Sequence, residues 1–322
     1  MPVRRQSVGA MRAGQYARAL RVRQRHIAST FERAAEEFFK VKMPHERKGD
    51  EVARDIRKEF VGRWAKRPIG DIERADIIEA IEEVRDRGSP YQAYNLLGYA
   101  RRLFDWAVIK YDLEKSPCDR LRPRDLGLKK RQRKRILNAE EFAAFWRASE
   151  GMGYPYGPLF QLLALTGQRK SDIAECRWLE IDLDDRLLTI PAERYKSDAD
   201  HVVPLSDSVM RMLKSLPTFK TDDYVFSTTF GAKPVNGFSK AKAKLDRGML
   251  AELRKLDPFT IHDIRRTMRS GLSALPIEQH VRELVIGHTQ LGLHKVYDRY
   301  AYLDEKRQAL DLWADRLMTL VS

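Results

Sequence analysis

Four stretches hold the side chains that could do chemistry: TGQRKSD (166–172), YKSDADHVVPL (195–205), FTIHDIRRT (259–267) and VIGHTQLGLHKVYDRY (285–300). Arg169 follows the apolar run YGPLFQLLAL, and a guanidinium is costly to bury there unless an anion answers it. His262 and Arg265 stand three apart on one face of a helix opened by Thr260, with Ile261, Ile264 and Met268 on another. Gly287 is placed to end a helix in the left-handed conformation, and His288 comes directly after it. Lys196 sits at the tip of a hairpin pattern. Taken singly, these are a surface ion pair, a helix stop with an exposed histidine, and an ordinary hairpin lysine. Tyr297 and Tyr300, at helical spacing, read as core by themselves. A free tyrosine, with a pKa of about 10, is a poor nucleophile unless cations favour its phenolate or a base stands beside it.

Together the pieces say more. Two arginines, a lysine and two histidines around one tyrosine are what phosphoryl transfer needs when no metal takes part. Arginines can hold two non-bridging phosphate oxygens and offset the charge that grows in a five-coordinate transition state. Each such donor is worth about 3 kcal/mol, a hundredfold or more in rate. The chain has no P-loop and no H-E-x-x-H metal-binding pattern, so the expectation is a site with no metal and no cofactor.

The rest of the chain must position these residues and meet their substrate. Its 322 residues carry 60 lysines and arginines against 46 acids, a formal charge of +14 and a pI near 9.7. That excess implies a polyanionic partner, most simply nucleic acid. With 43% hydrophobic residues and clear apolar periodicity the chain reads as globular. Cys118 and Cys176 stand in unlike contexts without metal-ligand spacing, as reduced thiols do. No apolar run approaches the roughly 20 residues of a membrane span, and no apolar signal core follows the N-terminal arginines. Residues 1–28, rich in arginine and free of acids, read as a basic arm, with a superficial likeness to a transit peptide.

From Ser29 to Cys118 the patterns are helical throughout. STFERAAEEFFKVKM has a capping serine or threonine and an apolar stripe of Phe31, Ala34, Ala35, Phe38 and Phe39. EVARDIRKEFVGRWAKRPIGDI and ERADIIEAIEEVRDRG follow, and then SPYQAYNLLGYARRLFDWAVIKYDL opens with Ser89 as N-cap and Pro90 at the first helical position. In this last helix Arg101 adds positive charge beside the apolar stripe. Residues 119–137 read as an extended basic linker: from Asp119 to Arg135 there are nine basic residues against two acids, broken by Pro123 and Gly127. Such a run is a solvated hinge or a track for a phosphate backbone. In the second case Lys129, Lys130, Arg131, Arg133, Lys134 and Arg135 are the contacts. Residues 138–322 read as a mixed domain. A helix opens at Asn138 or Ala139, others end at LTGQR and cover SDIAECRWLEI, and RLLTIPAERYKSDADHVVPLS forms two short strands around a polar turn. The remainder is helical, with loops at TFKTDDYVFSTTFGAKPVN and near Gly287. The expected fold is mainly α with a small antiparallel β-sheet in the second domain.

In order and spacing, TGQRKSD, YKSDADHVVPL, HDIRRT, IGH and YDR resemble the catalytic boxes of the tyrosine recombinase (phage integrase) family. The tail YDRYAYLDEKRQALDLWADRL most resembles integrases of bacteriophages and genomic islands. The resemblance implies a SAM-like helical core-binding domain at 29–118 and a catalytic domain at 138–322. It makes Arg169 and Arg265 the catalytic arginines, Asp172 the support of Arg169, and Lys196 the donor of a proton to the leaving 5′ oxygen. His262 and His288 become the catalytic histidines and Tyr297 the nucleophile. Tyr300 and Tyr302 become packing residues, and Arg266 a backbone contact. It further implies metal- and ATP-independent strand transfer through a 3′-phosphotyrosyl intermediate. The partners implied are double-stranded DNA attachment sites bound by a homotetramer on two duplexes, with accessory DNA-bending proteins. The setting implied is cytoplasmic and nucleoid-associated, with no membrane. The C-terminal helix is expected to dock either on a neighbouring protomer or on its own domain.

Integrases of this kind often carry a further N-terminal domain for arm sites. The stretch of about 30 residues before the core-binding domain is expected to be too short for it, which leaves a simpler recombinase, a late start or a truncated chain open. The alternatives by chemistry are a type IB topoisomerase, against which the tail and compact helical domain argue, and an inactive DNA-binding remnant, against which the filled catalytic positions argue.

Overall fold

In the computed structural model the described residues are 29–46, 48–129, 133–195, 199–219, 224–288 and 302–321. The expectations for residues 1–28, Lys130, Arg131, Lys196, Tyr297 and Tyr300 lie outside them. The chain divides between residues 132 and 133 into two units, each with its own hydrophobic core.

The described part of the first unit is helical. Helix α1 (Phe31–Lys42) is capped by Thr30, whose side chain accepts from the Arg33 amide at 3.4 Å. Its expected stripe, Phe31, Ala34, Ala35, Phe38 and Phe39, is buried. Helix α2 (Gly49–Ile56) runs on through a π turn at Arg57–Val61 into a final turn at Gly62–Trp64. The π turn buries Phe60, stacked on Trp64 at 5.3 Å, together with the Glu59 carboxylate. Arg87 meets that carboxylate with two nitrogens, the pairing a buried charge requires. Helix α3 (Arg74–Asp86) packs along α4 (Pro90–Tyr111). Ser89 is the N-cap residue of α4 and Pro90 its first helical residue, and Ala93, Leu96, Leu97, Ala100, Leu103 and Phe104 line its buried face.

The stretch expected as an extended linker is, up to residue 129, folded into this unit. Leu121, Leu126 and Leu128 are buried in its core, and Pro123–Leu126 form a 3₁₀ turn. The difference lies in the leucines at irregular spacing: they make no periodic pattern in sequence, yet each gains by leaving water. The guanidinium of Arg101 donates to the Leu121 carbonyl, so it holds this segment against α4.

In the second unit α5 (Ala139–Glu150) is capped reciprocally. The Glu141 amide donates to Asn138 Oδ1 at 2.8 Å and the Asn138 amide to Glu141 Oε2 at 2.9 Å. Helix α6 (Tyr156–Thr166) is apolar on nearly every side and lies in the core, where Leu159, Phe160 and Leu162–Leu165 are buried. It stops at Gly167, and α7 (Lys170–Ala174) follows. The helix expected over SDIAECRWLEI is thus short. The Cys176 carbonyl accepts from the Val225 amide at 2.9 Å and Arg177 bridges to Tyr224, so this backbone is spent on another segment. Strands β1 (Ile181–Asp182), β2 (Leu187–Ile190) and β3 (His201–Pro204) make an antiparallel sheet in that order, with Leu188 opposite Val203 and Ile190 opposite His201. The last two are the expected hairpin strands. Helices α8 (Asp207–Lys214), α9 (Phe238–Leu250), α10 (Ile261–Leu272) and α11 (Gln279–Val285) complete the shell.

Helix α12 (Leu303–Val321) packs on its own unit. It buries Ala309, Leu310, Trp313, Ala314 and Leu317 against α5, α6, α10 and α11. Trp313 donates from Nε1 to the Ala164 carbonyl at 2.8 Å, and its ring covers Gly271 so closely that a Cβ there would come within 2.2 Å of it. No helix among the described residues is long and apolar enough to cross a membrane.

Candidate active site

Two turns distant in sequence converge on one guanidinium. Arg265, one turn into α10, is 5% exposed. It donates from Nη1 to the Gly167 carbonyl at 2.7 Å and from Nη2 to the Ile286 carbonyl. Both carbonyls belong to turns that end helices: Gly167 after α6 and Ile286 after α11. Gly167 has φ +64°, and a Cβ there would lie 2.7 Å from the Met268 sulfur, so the close approach needs glycine. Burial, and then the neighbouring Arg169 charge, push the Arg265 guanidinium down to about 10. A guanidinium shifted that far has lost hydration without gaining a full counter-charge, and it favours any anion that enters.

Arg169 caps α7, a quarter exposed, with Nη1 3.4 Å from Asp172 Oδ2. Asp172 is 2% exposed and also accepts from Ser171 at 3.2 Å. The contact is long, which leaves the guanidinium oriented rather than neutralised. His262 is exposed on the first turn of α10, whose N-terminus is closed by a capping box between Thr260 and Asp263. Loss of hydration, then the charges of Arg266 and Arg265, hold its imidazole below the ordinary histidine range. His288 is exposed just after Gly287, and its Nδ1 lies 2.6 Å from Glu283 Oε2. With Nδ1 donating to that carboxylate, Nε2 is the ring atom left to act. Glu283 also accepts from Arg269 Nε at 2.9 Å. Burial raises its carboxyl, but the bonds from Arg269 and His288 outweigh this and hold it below the ordinary range.

Of the residues expected at the site, Arg169, Asp172, Arg265 and His288 are linked through this set of turns, and His262 lies within electrostatic reach of Arg265 and Arg169. The one-face picture of His262 and Arg265 changes in one respect, since the arginine points into the protein and the histidine out of it. Among the expected phosphate contacts, Lys129 and Lys134 are exposed. Arg133 and Arg266 both donate to Asp263, a carboxylate with no exposed surface, and Arg135 donates to Glu141. Tyr302 packs edge-on against the His280 ring at 5.1 Å.

Sequence patterns passed over a second layer. Gln168, 1% exposed, donates to the Val285 carbonyl at 2.9 Å, and its Oε1 lies 3.1 Å from His201 Nε2. His201, 7% exposed, stacks on Tyr195 at 4.8 Å. The alternation of β3 turns His201 and Val203 inward together, and that parity was readable. Lys306 on α12 is buried, donates to the Val202 carbonyl at 2.7 Å, and is pushed down to about 8 by its burial.

Burial, then the charges of Lys306, Arg265 and Arg169, push His201 down to about 3 from an ordinary 6.5. The unfolded chain therefore takes up a proton below about pH 6.5 that the folded protein refuses until far lower pH. The stability His201 permits is present above 6.5 and lost as pH falls toward 3. Between pH 7 and pH 5 this one group should lower the unfolding free energy by about 2 kcal/mol. Denaturant unfolding of wild type and His201→Gln at both pH values checks it. The variant should lose that difference, and an equal pH slope in the two proteins would contradict the assignment.

The model of the phage integrase central domain matches residues 31–124, and that of the phage integrase family matches residues 128–304, more than half of the chain. Prophage integrase IntZ of Escherichia coli (strain K12) is 27% identical over 304 residues, 92% of this chain and 73% of that protein. The integrase of Shigella phage Sf6 is 24% identical over 261 residues, 77% of this chain and 64% of its own length. The chain thus spans less than two thirds of the Sf6 relative. Among solved structures, a lambda integrase tetramer bound to a Holliday junction matches with a TM-score of 0.64 at 19% identity, covering 81% of this chain and 78% of that one. The Tn1549 transposon integrase in complex with circular intermediate DNA matches with a TM-score of 0.61 at 17% identity, covering 87% and 98%. At these identities the structural likeness establishes the fold, helical first unit and mixed second unit alike. With both family models matched in order along it, the chain belongs to the phage integrase family of tyrosine recombinases.

Proposed function

We propose that this protein is a site-specific DNA recombinase that cuts and rejoins strands through a 3′-phosphotyrosyl intermediate, for integration or excision of a mobile element. The observation that carries the reading is the pair Arg169 and Arg265: two guanidiniums from separate turns, one of them buried without a carboxylate partner of its own among the described residues. A scissile phosphate is an anion of the right shape for them, since two guanidiniums can each take a non-bridging oxygen. Asp172 orients Arg169. The Nε2 of His288 and the ring of His262 then stand as donors or proton acceptors at the same phosphate.

In the proposed step Tyr297 passes its phenolic proton to one of these histidines and its oxygen attacks phosphorus in line. The P–O bond to the 5′ carbon side breaks, Lys196 gives the leaving oxygen its proton, and the strand leaves with a 5′ hydroxyl. A 5′ hydroxyl from a partner duplex reverses the step on the new strand. The phosphodiester energy is kept in the phosphotyrosyl bond, so the reaction needs neither ATP nor a metal ion. The +14 charge suits a grip on double-stranded DNA, with Lys129 exposed near the end of the first unit, Lys134 exposed near the start of the second, and Lys130, Arg131 and Arg133 beside them in sequence. Four copies on two duplexes, with DNA-bending proteins at the nucleoid, are the assembly this reading takes; the lambda integrase tetramer on a Holliday junction supports it by fold.

A covalent-trapping assay in EDTA tests the proposal. Wild-type protein and Tyr297→Phe are mixed with nicked duplexes from the flanks of the protein's own gene and denatured in SDS. An adduct is expected with wild type only. An adduct that survives in the variant moves the nucleophile elsewhere, and no adduct on fragments shown to bind overturns the reading.

A further inference from the structure

Tyr195 touches both turns that carry proposed catalytic groups, and nothing in the mechanism above uses it. The Arg169 guanidinium lies over its ring, 4.7 Å from the centroid. The His201 ring stacks on it at 4.8 Å with 17° between the planes. The ring of Tyr195 thus meets both planar groups at once. Its hydroxyl donates to the carbonyl of Gly287, the residue before His288. Gly287 has φ +67°, and a Cβ there would fall 1.6 Å from the tyrosine hydroxyl oxygen. The position is therefore limited to glycine both by its backbone and by Tyr195. His201 is in turn held by Gln168, the neighbour of Arg169, which also donates to the Val285 carbonyl.

A phenylalanine would fill this 6% exposed space equally well as core. What the hydroxyl adds is a bond to a backbone atom one residue from His288, and what the ring adds is a platform under Arg169. We propose that Tyr195 is a positioning residue: it holds the Arg169 guanidinium by its ring and the Gly287–His288 turn by its hydroxyl, in register with each other. The inference rests on the reading of Arg169 and His288 as groups that act on the scissile phosphate. A displacement of about 1 Å at such groups can cost a hundredfold in rate.

The test uses the full chain and the rate of covalent adduct formation on the same nicked duplexes. Tyr195→Phe should slow the adduct by about tenfold, with DNA affinity and melting temperature close to wild type. Combined with His288→Ala it should add nothing, because the hydroxyl acts through that turn; combined with His262→Ala the two losses should multiply. Tyr195→Leu should lose about a hundredfold by removing the platform as well. If the leucine variant fails to fold, the phenylalanine cycles decide alone. A Tyr195→Phe rate within twofold of wild type, or a loss that multiplies with His288→Ala, overturns the inference. If wild type forms no adduct, or Arg169→Ala forms it as fast as wild type, the underlying reading fails and the inference falls with it.

Discussion

Arg265→Ala is expected to slow strand cleavage by about a thousandfold and also to lower the unfolding free energy by about 2–4 kcal/mol. Two separate losses are involved. Chemically, a buried cation that would meet a non-bridging phosphate oxygen disappears, and preorganised donors of this kind are worth about 3 kcal/mol or more in the transition state. Structurally, the Gly167 and Ile286 carbonyls lose their shared donor in a buried place. Each orphaned acceptor costs about 1–3 kcal/mol, set against relief of the repulsion between Arg169 and Arg265. Arg265→Lys separates the two losses. A lysine keeps the charge and has three donors for the two carbonyls, but as a point charge without the planar fork it cannot also present a paired donor to the phosphate. It should recover most of the stability and little of the rate. Denaturant unfolding and adduct formation on the three proteins check this. A wild-type rate in the alanine variant would reduce Arg265 to a structural clamp.

Asp263→Ala should be the most destabilising single substitution in α10, at about 3–5 kcal/mol. The carboxylate has no exposed surface and accepts from the Thr260 amide at 2.7 Å, the Thr260 hydroxyl at 2.9 Å, Arg133 Nε at 2.8 Å and Arg266 Nη1. Burial alone would raise its pKa, but these bonds outweigh burial and hold it below the ordinary aspartate value. Truncation removes the capping box of α10 and leaves two arginines partnered less well in one place. Because α10 presents His262 and Arg265, cleavage should fall with stability. The sign with pH follows from the lowered pKa. Asp263 contributes fully above the unfolded-state value near 3.8, and its contribution disappears as pH falls through its lower folded value. Asp263→Asn keeps an acceptor for Thr260 and should lose markedly less than alanine. Thermal melts at pH 7 of the three proteins test the order, and equal stability of the alanine variant would show that the arginines find other partners.

Much of this protein was readable from residue order. The stripe Phe31, Ala34, Ala35, Phe38, Phe39 and the caps at Thr30, Asn138 and Thr260 are where spacing put them, because helix periodicity and capping bind residues within four positions of one another. The hairpin of β2 and β3 followed from two short β-rich runs around a polar turn, while its register, Leu188 opposite Val203, came only with the structure. The family, too, was present in the order of five short motifs. Contacts across long stretches of chain were not readable. Arg265 is buried because its guanidinium meets a carbonyl 98 residues away, and no local pattern predicts that distance closing. The commitment of Arg133 to Asp263, the entry of Leu121 and Leu128 into the first core, and the choice of α12 to lay Trp313 on Gly271 of its own unit are of the same kind. Sequence by itself determined which chemical groups this protein owns and which short elements carry them. Tertiary structure alone decided which groups lose water and which partner each one meets, because burial depends on whole surfaces closing over a site.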